Sequence, residues 1–232
     1  MTAADAGYTG AENLEVMREA VNYNAWLLRL IQDQAKPGAR VLDFGAGAGT
    51  FAAPLRQAGL GMTCLEPDAA LGTMLRAQGL SVVSGPEQVA DDTFDLIYSL
   101  NVLEHIEDDV GALSAIFPKL KPGGRLLIYV PAFQVLFGSM DRKVGHLRRY
   151  RRGELARKIH TAGFQVESAR YADSLGFFAA LALRLLDNGT GNLNPALVRL
   201  YDRVAFPLSR LLDRVCWPLF GKNVTIVARR KG

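Results

Sequence analysis

The chain has few cysteines and no apolar run long enough to cross a bilayer. Its 232 residues include 2 cysteines, which allow one disulfide at most, and no C-x-x-C pair or zinc-finger spacing of Cys and His occurs. The sequence has no stretch of about 18 uncharged apolar residues. Its first residues lack the charged-then-apolar pattern of a signal peptide. We therefore expect a cytoplasmic protein with reduced thiols and no transmembrane helix; a peripheral position at the membrane is the alternative.

Charge is distributed unevenly along the chain. The formal net charge is +4, but the residues up to Asp141 include 9 basic and 17 acidic side chains, whereas those after it include 18 basic and 6 acidic. Hydrophobic residues make up 49% of the chain, which excludes a disordered or collagen-like protein. The basic part predicts an anionic partner. We do not expect nucleic acid, because no aromatic-interleaved groove or known nucleic-acid motif is present.

Short apolar runs alternate with helix-like segments along the chain. A first helix is predicted over residues 11–32, before Lys36-Pro37-Gly38. Strands are predicted over 40–44, 61–66, 93–99, 125–130, 164–171 and 224–229, and further helices over 51–58, 69–78, 109–120 and 153–162. Because β and α units alternate and the strands are almost continuously apolar, we predict an α/β doubly wound fold with a parallel sheet covered on both faces.

A glycine-rich turn after the first predicted strand is the strongest local signal. Residues 41–50 read VLDFGAGAGT, so that glycines follow a buried strand and precede a helix, where the backbone can approach a ligand closely. Thr50 replaces the third glycine of the dinucleotide fingerprint G-x-G-x-x-G. Asp43 would repel a pyrophosphate but would suit a cation. The turn therefore favours a positively charged nucleoside without phosphate; a tight strand–helix connection with no ligand is the alternative.

An acid follows the next predicted strand, in the sequence Leu65-Glu66-Pro67-Asp68. Glu66 lies 23 residues after Asp43, close to the position at which nucleotide-binding sheets carry an acid for the ribose hydroxyls. Alternatively, Glu66 caps the helix that starts at Asp68. Asp95, within the predicted strand 93–99, is expected to have a structural role in the sheet.

Four ordered motifs resemble those of the class I S-adenosylmethionine-dependent methyltransferases. VLDFGAGAGTF is similar to the first motif, LEPD to the second, FDLIYSLNVLEHIEDD to the segment at the fourth strand, and LKPGGRLLIYVPAF to the fifth strand and its turn. The resemblance covers residues 23–169, with 224–231 as the seventh strand. It implies a Rossmann-like sheet of seven mostly parallel strands, and S-adenosyl-L-methionine as the cofactor.

The resemblance also implies which residues contact the cofactor: Asp43, Gly45, Ala46, Gly47, Glu66, Pro67, Leu100 and Asn101. In the family, the glycines lie under the methionine part, an acid such as Glu66 holds the ribose, and residues after the fourth strand face the methionine. Residues 84–87 read SGPE where the adenine contact usually lies, in place of a more familiar acidic pair. The segment Tyr23–Trp26 either folds over the cofactor or belongs to the core.

Residues 172–222 separate the last two predicted strands and are too many for a hairpin loop. We expect a helical insertion or lid there, within a single domain over residues 1–232. Residues 1–36 would form an N-terminal helical cover, 37–171 the cofactor-binding core, and 223–232 the last strand.

Two histidines are the candidate catalytic residues. An oxygen acceptor must lose a proton, and histidine is suited to this at neutral pH. His105 follows the fourth strand and is the first candidate, although the Glu104-His105 pair could instead orient the loop. In quinone-type O-methyltransferases a similar Glu-His pair can engage a divalent metal, but the ligand set is incomplete in this sequence and no metal is predicted. His160 is expected to interact with a helix C-terminus.

The second candidate, His146, belongs to the sequence DRKVGHLRRY at residues 141–150. It is similar to a D-x-x-x-G-H-x-R-R-Y run in this branch of the family, where the loop borders the acceptor pocket. We expect Asp141, Arg149 and Tyr150 to bind the acceptor beside His146, as an orienting acid and an anion clamp. For most basic residues of 142–158, a solvated surface is the alternative.

Residues 174–216 carry basic and apolar rows at helical spacing. Arg199, Arg203, Arg210 and Arg214 are predicted to share one face, and Pro207 to kink the helix. Such a helix suits contact with a membrane surface or a lid over an apolar acceptor; the alternatives are packing on the domain's own core and a homodimer.

We expect methyl transfer to a small-molecule or lipid-linked acceptor, including an anionic one, with oxygen favoured as the accepting atom. A nicotinamide-dependent oxidoreductase and a non-catalytic cofactor-binding module are the alternatives.

Overall fold

The computed structural model describes residues 11–186 and 189–231, and its centre is one sheet of seven strands. The strands are β1 (Arg40–Phe44), β2 (Gly61–Leu65), β3 (Ser81–Val83), β4 (Phe94–Leu100), β5 (Leu120–Pro131), β6 (Gln165–Ala172) and β7 (Asn223–Arg229). Their order in the sheet is β3-β2-β1-β4-β5-β7-β6. Only β7 is antiparallel to its neighbours among these strands. The prediction of a doubly wound, mostly parallel seven-stranded sheet is confirmed.

Ten α-helices flank the sheet in the described part of the chain. They are α1 (Ala11–Arg18), α2 (Val21–Gln32), α3 (Ala52–Gln57), α4 (Ala69–Ala77), α5 (Asp109–Ile116), α6 (Ser139–Lys143), α7 (Arg152–Thr161), α8 (Ser174–Leu185), α9 (Pro195–Leu200) and α10 (Phe206–Cys216). His160 lies in the last turn of α7. No helix of the described residues has both the length and the apolar character needed to span a membrane.

Apolar side chains fill both faces of the sheet, as the strand sequences predict. Adjacent residues such as Leu96 and Ile97 in β4 are both fully buried, and so are all residues from Leu126 to Val130 in β5. Because neighbouring residues of a strand point to opposite faces, this burial requires helices on both sides.

The helix predicted over residues 11–32 is in fact two helices, so that prediction is wrong. The chain leaves helical geometry at Ala20 (φ −79°, ψ 72°), which is buried. The side-chain amide of Asn24 donates to the carbonyl of Met17 (3.0 Å), which satisfies one of the free carbonyls at the end of α1. The carboxylate of Asp202, from the opposite end of the chain, accepts from the backbone N–H groups of Asn22 and Tyr23 (2.9 Å each) at the start of α2.

The segment predicted as a helix over 109–120 also ends early. After α5 it forms a 3₁₀ turn at Phe117–Lys119, because Pro118 cannot supply the N–H that continues an α-helix. The strand predicted over 125–130 starts earlier, at Leu120.

Helices α8, α9 and α10 lie between β6 and β7, and the last two are joined by a π-helical turn at Tyr201–Ala205. Pro207 is the second residue of α10, directly after this turn and Phe206. The carboxylate of Asp213 in α10 accepts from the backbone N–H groups of Asp173 and Ser174 (2.9 Å each), where α8 begins. Both aspartates are buried. The three helices are therefore fixed to the carboxyl end of the sheet by charge-assisted hydrogen bonds.

Candidate active site

The glycine turn joins β1 to α3 and uses its glycines for two different reasons. Gly45 has φ 83°, and a Cβ atom there would lie 2.5 Å from Cγ2 of Val102, in the loop after β4. Gly47 has φ 53°, but a Cβ atom there would meet nothing within 4 Å. Gly45 is thus needed for packing, whereas Gly47 borders open space at the carboxyl edge of the sheet; Ala46 between them packs partly against the core.

Glu66 connects this turn to the end of β2. Its carboxylate accepts from the backbone N–H groups of Gly47 (2.8 Å) and Asp68 (3.0 Å), and Pro67 beside it is exposed. The cap of α4 is Asp68, which accepts from the N–H of Leu71 (2.9 Å). The alternative in which Glu66 caps that helix is therefore wrong.

Asp43 is a second buried acid at the same edge. The hydroxyl of Tyr98 donates to its Oδ2 atom at 2.6 Å. Burial raises the pKa of Asp43 to about 7; the hydrogen bond from Tyr98 opposes this shift, and the negative charge of nearby Glu66 contributes to it. A cation bound at this edge would favour the ionised form of Asp43. Asp95 lies at the other end of the sheet, where it accepts from the N–H of Arg40 (2.9 Å), in agreement with its expected structural role.

The end of β4 supplies Leu100 and Asn101. Asn101 has φ 54°, a left-handed conformation that asparagine tolerates better than most residues, and its N–H donates to the carbonyl of Tyr129 (2.8 Å). Tyr23 and Trp26 of α2 pack edge-on against the ring of Tyr129, at centroid distances of 6.3 and 5.7 Å. This segment therefore forms part of an aromatic cluster at the sheet end.

The structure brings the two candidate histidines together. The rings of His105 and His146 lie 4.7 Å apart and nearly perpendicular. Nδ1 of His105 lies 3.2 Å from the carbonyl of Gly145, so it must carry a proton to hydrogen bond there and leaves Nε2 as the basic atom. Burial, together with His146, lowers the pKa of His105 to about 4, which keeps its ring neutral.

Asp141 orients His146. Its Oδ1 lies 2.7 Å from Nδ1 of His146, and Arg149 donates to both carboxylate oxygens (2.8 and 2.9 Å). Although burial opposes ionisation, these hydrogen bonds hold the pKa of Asp141 below its ordinary value. Arg149 also donates to the carbonyl of Ala132 (3.4 Å). Its guanidinium is thus engaged in positioning Asp141, while its expected role as an anion clamp stays a prediction, since Arg149 also lines the cavity described below.

Glu104 is fully buried behind the histidine pair, and neither of its carboxylate oxygens has a hydrogen-bond partner among the described residues. Burial raises its pKa to about 8. Ligand atoms of Glu104, His105 and His146 all lie within 4.8 Å of one another, a group that could hold a divalent cation. This group is not visible in the sequence, because His146 is 41 residues from His105 and only the fold brings the two near each other.

Tyr150 does not reach the acceptor region, so the prediction that it binds the acceptor is wrong. It is fully buried, and its hydroxyl donates to Oδ2 of Asp109 (2.8 Å) and the carbonyl of Leu103 (3.0 Å). Asp109 also pairs with Arg148 and Lys158 (3.2 and 2.7 Å). These residues anchor the loop 141–150 to α5 and α7.

A cavity of about 1240 Å³ connects the sheet edge to the insertion helices. Part of the lining contains Asn101, His105, Asp141, His146 and Arg149, and another part comes from α8, α9 and the turn at Tyr201–Ala205. The volume exceeds the several hundred Å³ typical of a single ligand pocket. The residue after β4 and the histidine pair therefore face one shared space.

Comparison with known proteins decides the family. A family model described as a methyltransferase domain matches residues 14–169, most of the chain. The chain belongs to the class I S-adenosylmethionine-dependent methyltransferases. S-adenosylmethionine is therefore the cofactor, and the nicotinamide-dependent oxidoreductase is no longer an alternative.

Curated methyltransferases match parts of the chain. A malonyl-[acyl-carrier protein] O-methyltransferase from Methylococcus capsulatus is 37% identical over 135 residues, which cover 53% of this chain and 47% of that protein. A ubiquinone biosynthesis O-methyltransferase from Dinoroseobacter shibae is 36% identical over 101 residues, covering 39% and 40%. The chain thus spans less than half the length of these two curated relatives.

Solved methyltransferases share the fold over nearly the whole chain. The methyltransferase of a complex with the Trm112 activator from Haloferax volcanii has a TM-score of 0.64 and 18% identity, covering 97% of this chain and 98% of that one. An S-adenosylmethionine-dependent methyltransferase from Archaeoglobus fulgidus has a TM-score of 0.59 and 18% identity, covering 90% and 94%.

The residues at the sheet edge of this methyltransferase fit its cofactor. The open space at Gly47 admits a ligand against the backbone, and buried Asp43 and Glu66 supply negative charge for a cationic molecule. S-adenosylmethionine contains no pyrophosphate, so its binding site needs no group that binds one. This edge matches the general rule that open α/β sheets bind ligands beyond the carboxyl ends of their strands.

Proposed function

We propose that the protein transfers the methyl group of S-adenosylmethionine to an oxygen atom of a small-molecule or lipid-linked acceptor. The observation that carries this proposal is the cavity shared by Asn101 and the histidine pair, since a methyl donor at the sheet edge would face an acceptor beside His105. The two curated relatives described above are both named as O-methyltransferases, which supports oxygen as the accepting atom.

The proposed cofactor contacts are Asp43, Gly45, Ala46, Gly47, Glu66, Pro67, Leu100 and Asn101. Gly45, Ala46 and Gly47 would lie under the methionine part, and Glu66 would accept hydrogen bonds from the ribose hydroxyls. When bound, S-adenosylmethionine supplies an electrophilic methyl group on a positively charged sulfur. Positioning and exclusion of water can then supply much of the rate enhancement. The single-domain organisation, with α8–α10 as a lid over the acceptor, is part of the same proposal.

The proposed base is Nε2 of His105. The carbonyl of Gly145 fixes the opposite nitrogen as the protonated one, so that Nε2 carries the lone pair. The low pKa keeps the ring neutral but also makes Nε2 a weak base, so the proposal depends on the position of His105 beside the acceptor. The acceptor O–H proton would move to Nε2 as the oxygen bonds to the methyl carbon, and the C–S bond electrons would remain on sulfur. His146, held by Asp141, would keep the His105 ring in place by edge-on packing.

We further propose that α9 and α10 contact an anionic membrane surface. Together with the turn that joins them they expose a row of apolar side chains, Leu197, Leu200, Val204, Leu208, Leu211 and Val215, flanked by exposed Arg203 and Arg214. The predicted single basic face is only half present, because Arg199 pairs with Glu19 and Arg210 with Asp213 (3.0 Å). A homodimer through the same face is the alternative.

The base assignment predicts the effect of removing each histidine. The probe acceptor is 4-nonylcatechol, which carries hydroxyl groups and a hydrocarbon chain. His105→Asn should lower methyl transfer to this probe by about 100-fold or more, in the range expected for loss of a general base. His146→Asn should also lower it, because the His105 ring loses its support. The measurement is formation of S-adenosylhomocysteine, with its binding affinity checked by calorimetry. His160→Asn, on the last turn of α7, is the matched control and should be neutral. Full turnover by both cavity variants would exclude a base role for either histidine.

The raised pKa of Asp43 predicts pH-dependent cofactor binding. Asp43 has a pKa of about 7, so at lower pH the free protein carries a protonated Asp43. Binding of a cation must then release that proton. Affinity for S-adenosylmethionine should therefore fall by about ten-fold between pH 8 and pH 6. Calorimetry should show that Asp43→Asn removes this dependence, whereas Asp95→Asn, at the opposite end of the sheet, keeps it. An Asp43→Asn variant with the same pH dependence would contradict the assignment.

The membrane proposal predicts sedimentation with vesicles. The protein should pellet with phosphatidylglycerol vesicles at low salt, and much less with phosphatidylcholine vesicles or at high salt, because surface charge attraction is screened. A Leu208→Glu/Leu211→Glu variant should stay in solution, whereas Met74→Glu on α4 should behave as the unaltered protein. Absence of pelleting, together with a concentration-dependent dimer that the double variant abolishes, would favour the homodimer instead.

A further inference from the structure

One lysine lies at the cavity wall beside the last strand. Lys222 immediately precedes β7, and its backbone is fixed on both sides: its N–H donates to the carbonyl of Asp173 (2.9 Å), and its carbonyl accepts from the N–H of Ala132 (2.8 Å). The preceding Gly221 lies so close to β6 that a Cβ atom there would be 2.4 Å from the carbonyl oxygen of Ala172. The backbone is thus held where the side chain of Lys222 lines the cavity.

The acidic groups that share this cavity are already hydrogen-bonded. Asp141 binds His146 and Arg149, as described above. The carboxylate of Asp173 accepts from the hydroxyls of Ser209 (2.9 Å) and Tyr201 and from the N–H of Gly176 (3.1 Å). Asp202 accepts from the two N–H groups at the start of α2. Each carboxylate is therefore engaged in holding the protein's own elements together.

The ammonium group of Lys222, in contrast, makes no hydrogen bond and no ion pair within 4.0 Å with any residue in the described ranges. Burial lowers the pKa of Lys222, the carboxylates of Asp173 and Asp141 raise it, and the nearby guanidinium of Arg149 lowers it. Lys222 is half-buried, so its ammonium group has lost part of its hydration, and an anion from a ligand would compensate for that loss.

Apolar side chains form a large part of the remaining cavity wall. Helix α8 contributes Ala179, Ala180 and Leu183, and the α9–α10 segment contributes Leu197, Val198 and Val204. Leu183, Leu197 and Val204 are also more than half exposed, so this wall continues to the protein surface. A ligand that lay along these side chains would contact hydrocarbon, and Lys222 lines the same cavity; Arg184, Thr190, Asn192 and Asn194 form a polar part of the lining.

We propose that Lys222 binds the anionic group of an amphiphilic acceptor, a carboxylate or a phosphate monoester, whose hydrocarbon chain lies along α8 and α9. The proposal rests on the methyl transfer proposed above and names its substrate class. The anionic group acts as an anchor, while the accepting oxygen reaches His105. The positive excess of the C-terminal part of the chain agrees with this choice of ligand.

The test compares three twelve-carbon probes that differ in their head groups. Dodecanoate, dodecyl phosphate and 1-dodecanol are titrated into the protein saturated with S-adenosylhomocysteine, below their aggregation concentrations. The unaltered protein should bind at least one anionic probe about ten-fold or more tightly than the alcohol, as expected for a charge-assisted interaction. The two anionic probes distinguish a carboxylate site from a phosphate site.

Substitution of the lysine should remove the preference. Lys222→Met should reduce anion binding to the level of the alcohol, and Lys222→Arg should restore most of it. Lys121→Met is the matched control, because Lys121 pairs with Asp95 (2.7 Å) at the other end of the sheet. Equal binding of all three probes by the unaltered protein, or an unchanged preference in folded Lys222→Met, would overturn the proposal.

Three further outcomes are distinguished, and the last two separate the anion site from the proposed reaction. If Lys222→Met fails to fold, the preference of the unaltered protein and of Lys222→Arg still decides the matter. If methyl transfer is wrong but the anion site is right, the head-group preference persists without turnover. If the anion site alone is wrong, S-adenosylhomocysteine binds normally and the preference is absent.

Discussion

Two buried aspartates from the last part of the chain fix the helices that lie over the carboxyl end of the sheet. Asp202 accepts from the backbone N–H groups that open α2, and Asp213 accepts from those that open α8. Helix N-termini favour negative charge, because their first N–H groups have no partner within the helix. Each aspartate therefore satisfies N–H donors that would otherwise have no partner. Asp202 lies 179 residues after Tyr23, and Asp213 lies 40 residues after Asp173. The acceptor cavity exists because these contacts fix α8, α9 and α10 above the carboxyl ends of the strands.

The charge distribution of the chain corresponds to the two halves of the reaction. Asp43 and Glu66 lie buried at the edge where the cationic cofactor is expected, and both belong to the acidic first part of the sequence. Lys222, at the cavity wall, belongs to the basic second part. If both proposals hold, each region binds a ligand of opposite sign, which the modest net charge of the whole protein does not show.

The sheet and its edge could be predicted from sequence because they depend on local patterns. Apolar runs of strand length, each followed by a turn, predict how strands and helices follow one another along the chain. The glycine turn and Glu66 lie at short, fixed spacings from the ends of these strands. The break at Ala20 could not be predicted in the same way, since it is stabilised by Asp202, 180 residues away from Asn22. The contact between His105 and His146 likewise depends on how the loop after β5 folds back.

Tyr150 and Lys222 are two residues whose positions the sequence did not predict correctly. Tyr150 is adjacent to Arg149 in a loop that resembles an acceptor-binding motif, yet its hydroxyl turns inward to Asp109. Lys222 belongs to none of the sequence motifs, and only the tertiary structure places it in the cavity. Sequence proximity to a functional loop is therefore a weaker guide than the direction of the side chain, which packing decides.

A crystal structure with S-adenosylhomocysteine would test the account most directly. We predict that the ribose hydroxyls lie within hydrogen-bond distance of Glu66, and that the sulfur atom lies beside Asn101, facing the cavity that contains His105. A complex in which the sulfur points away from this cavity, or in which the molecule binds without contact to Glu66, would contradict it.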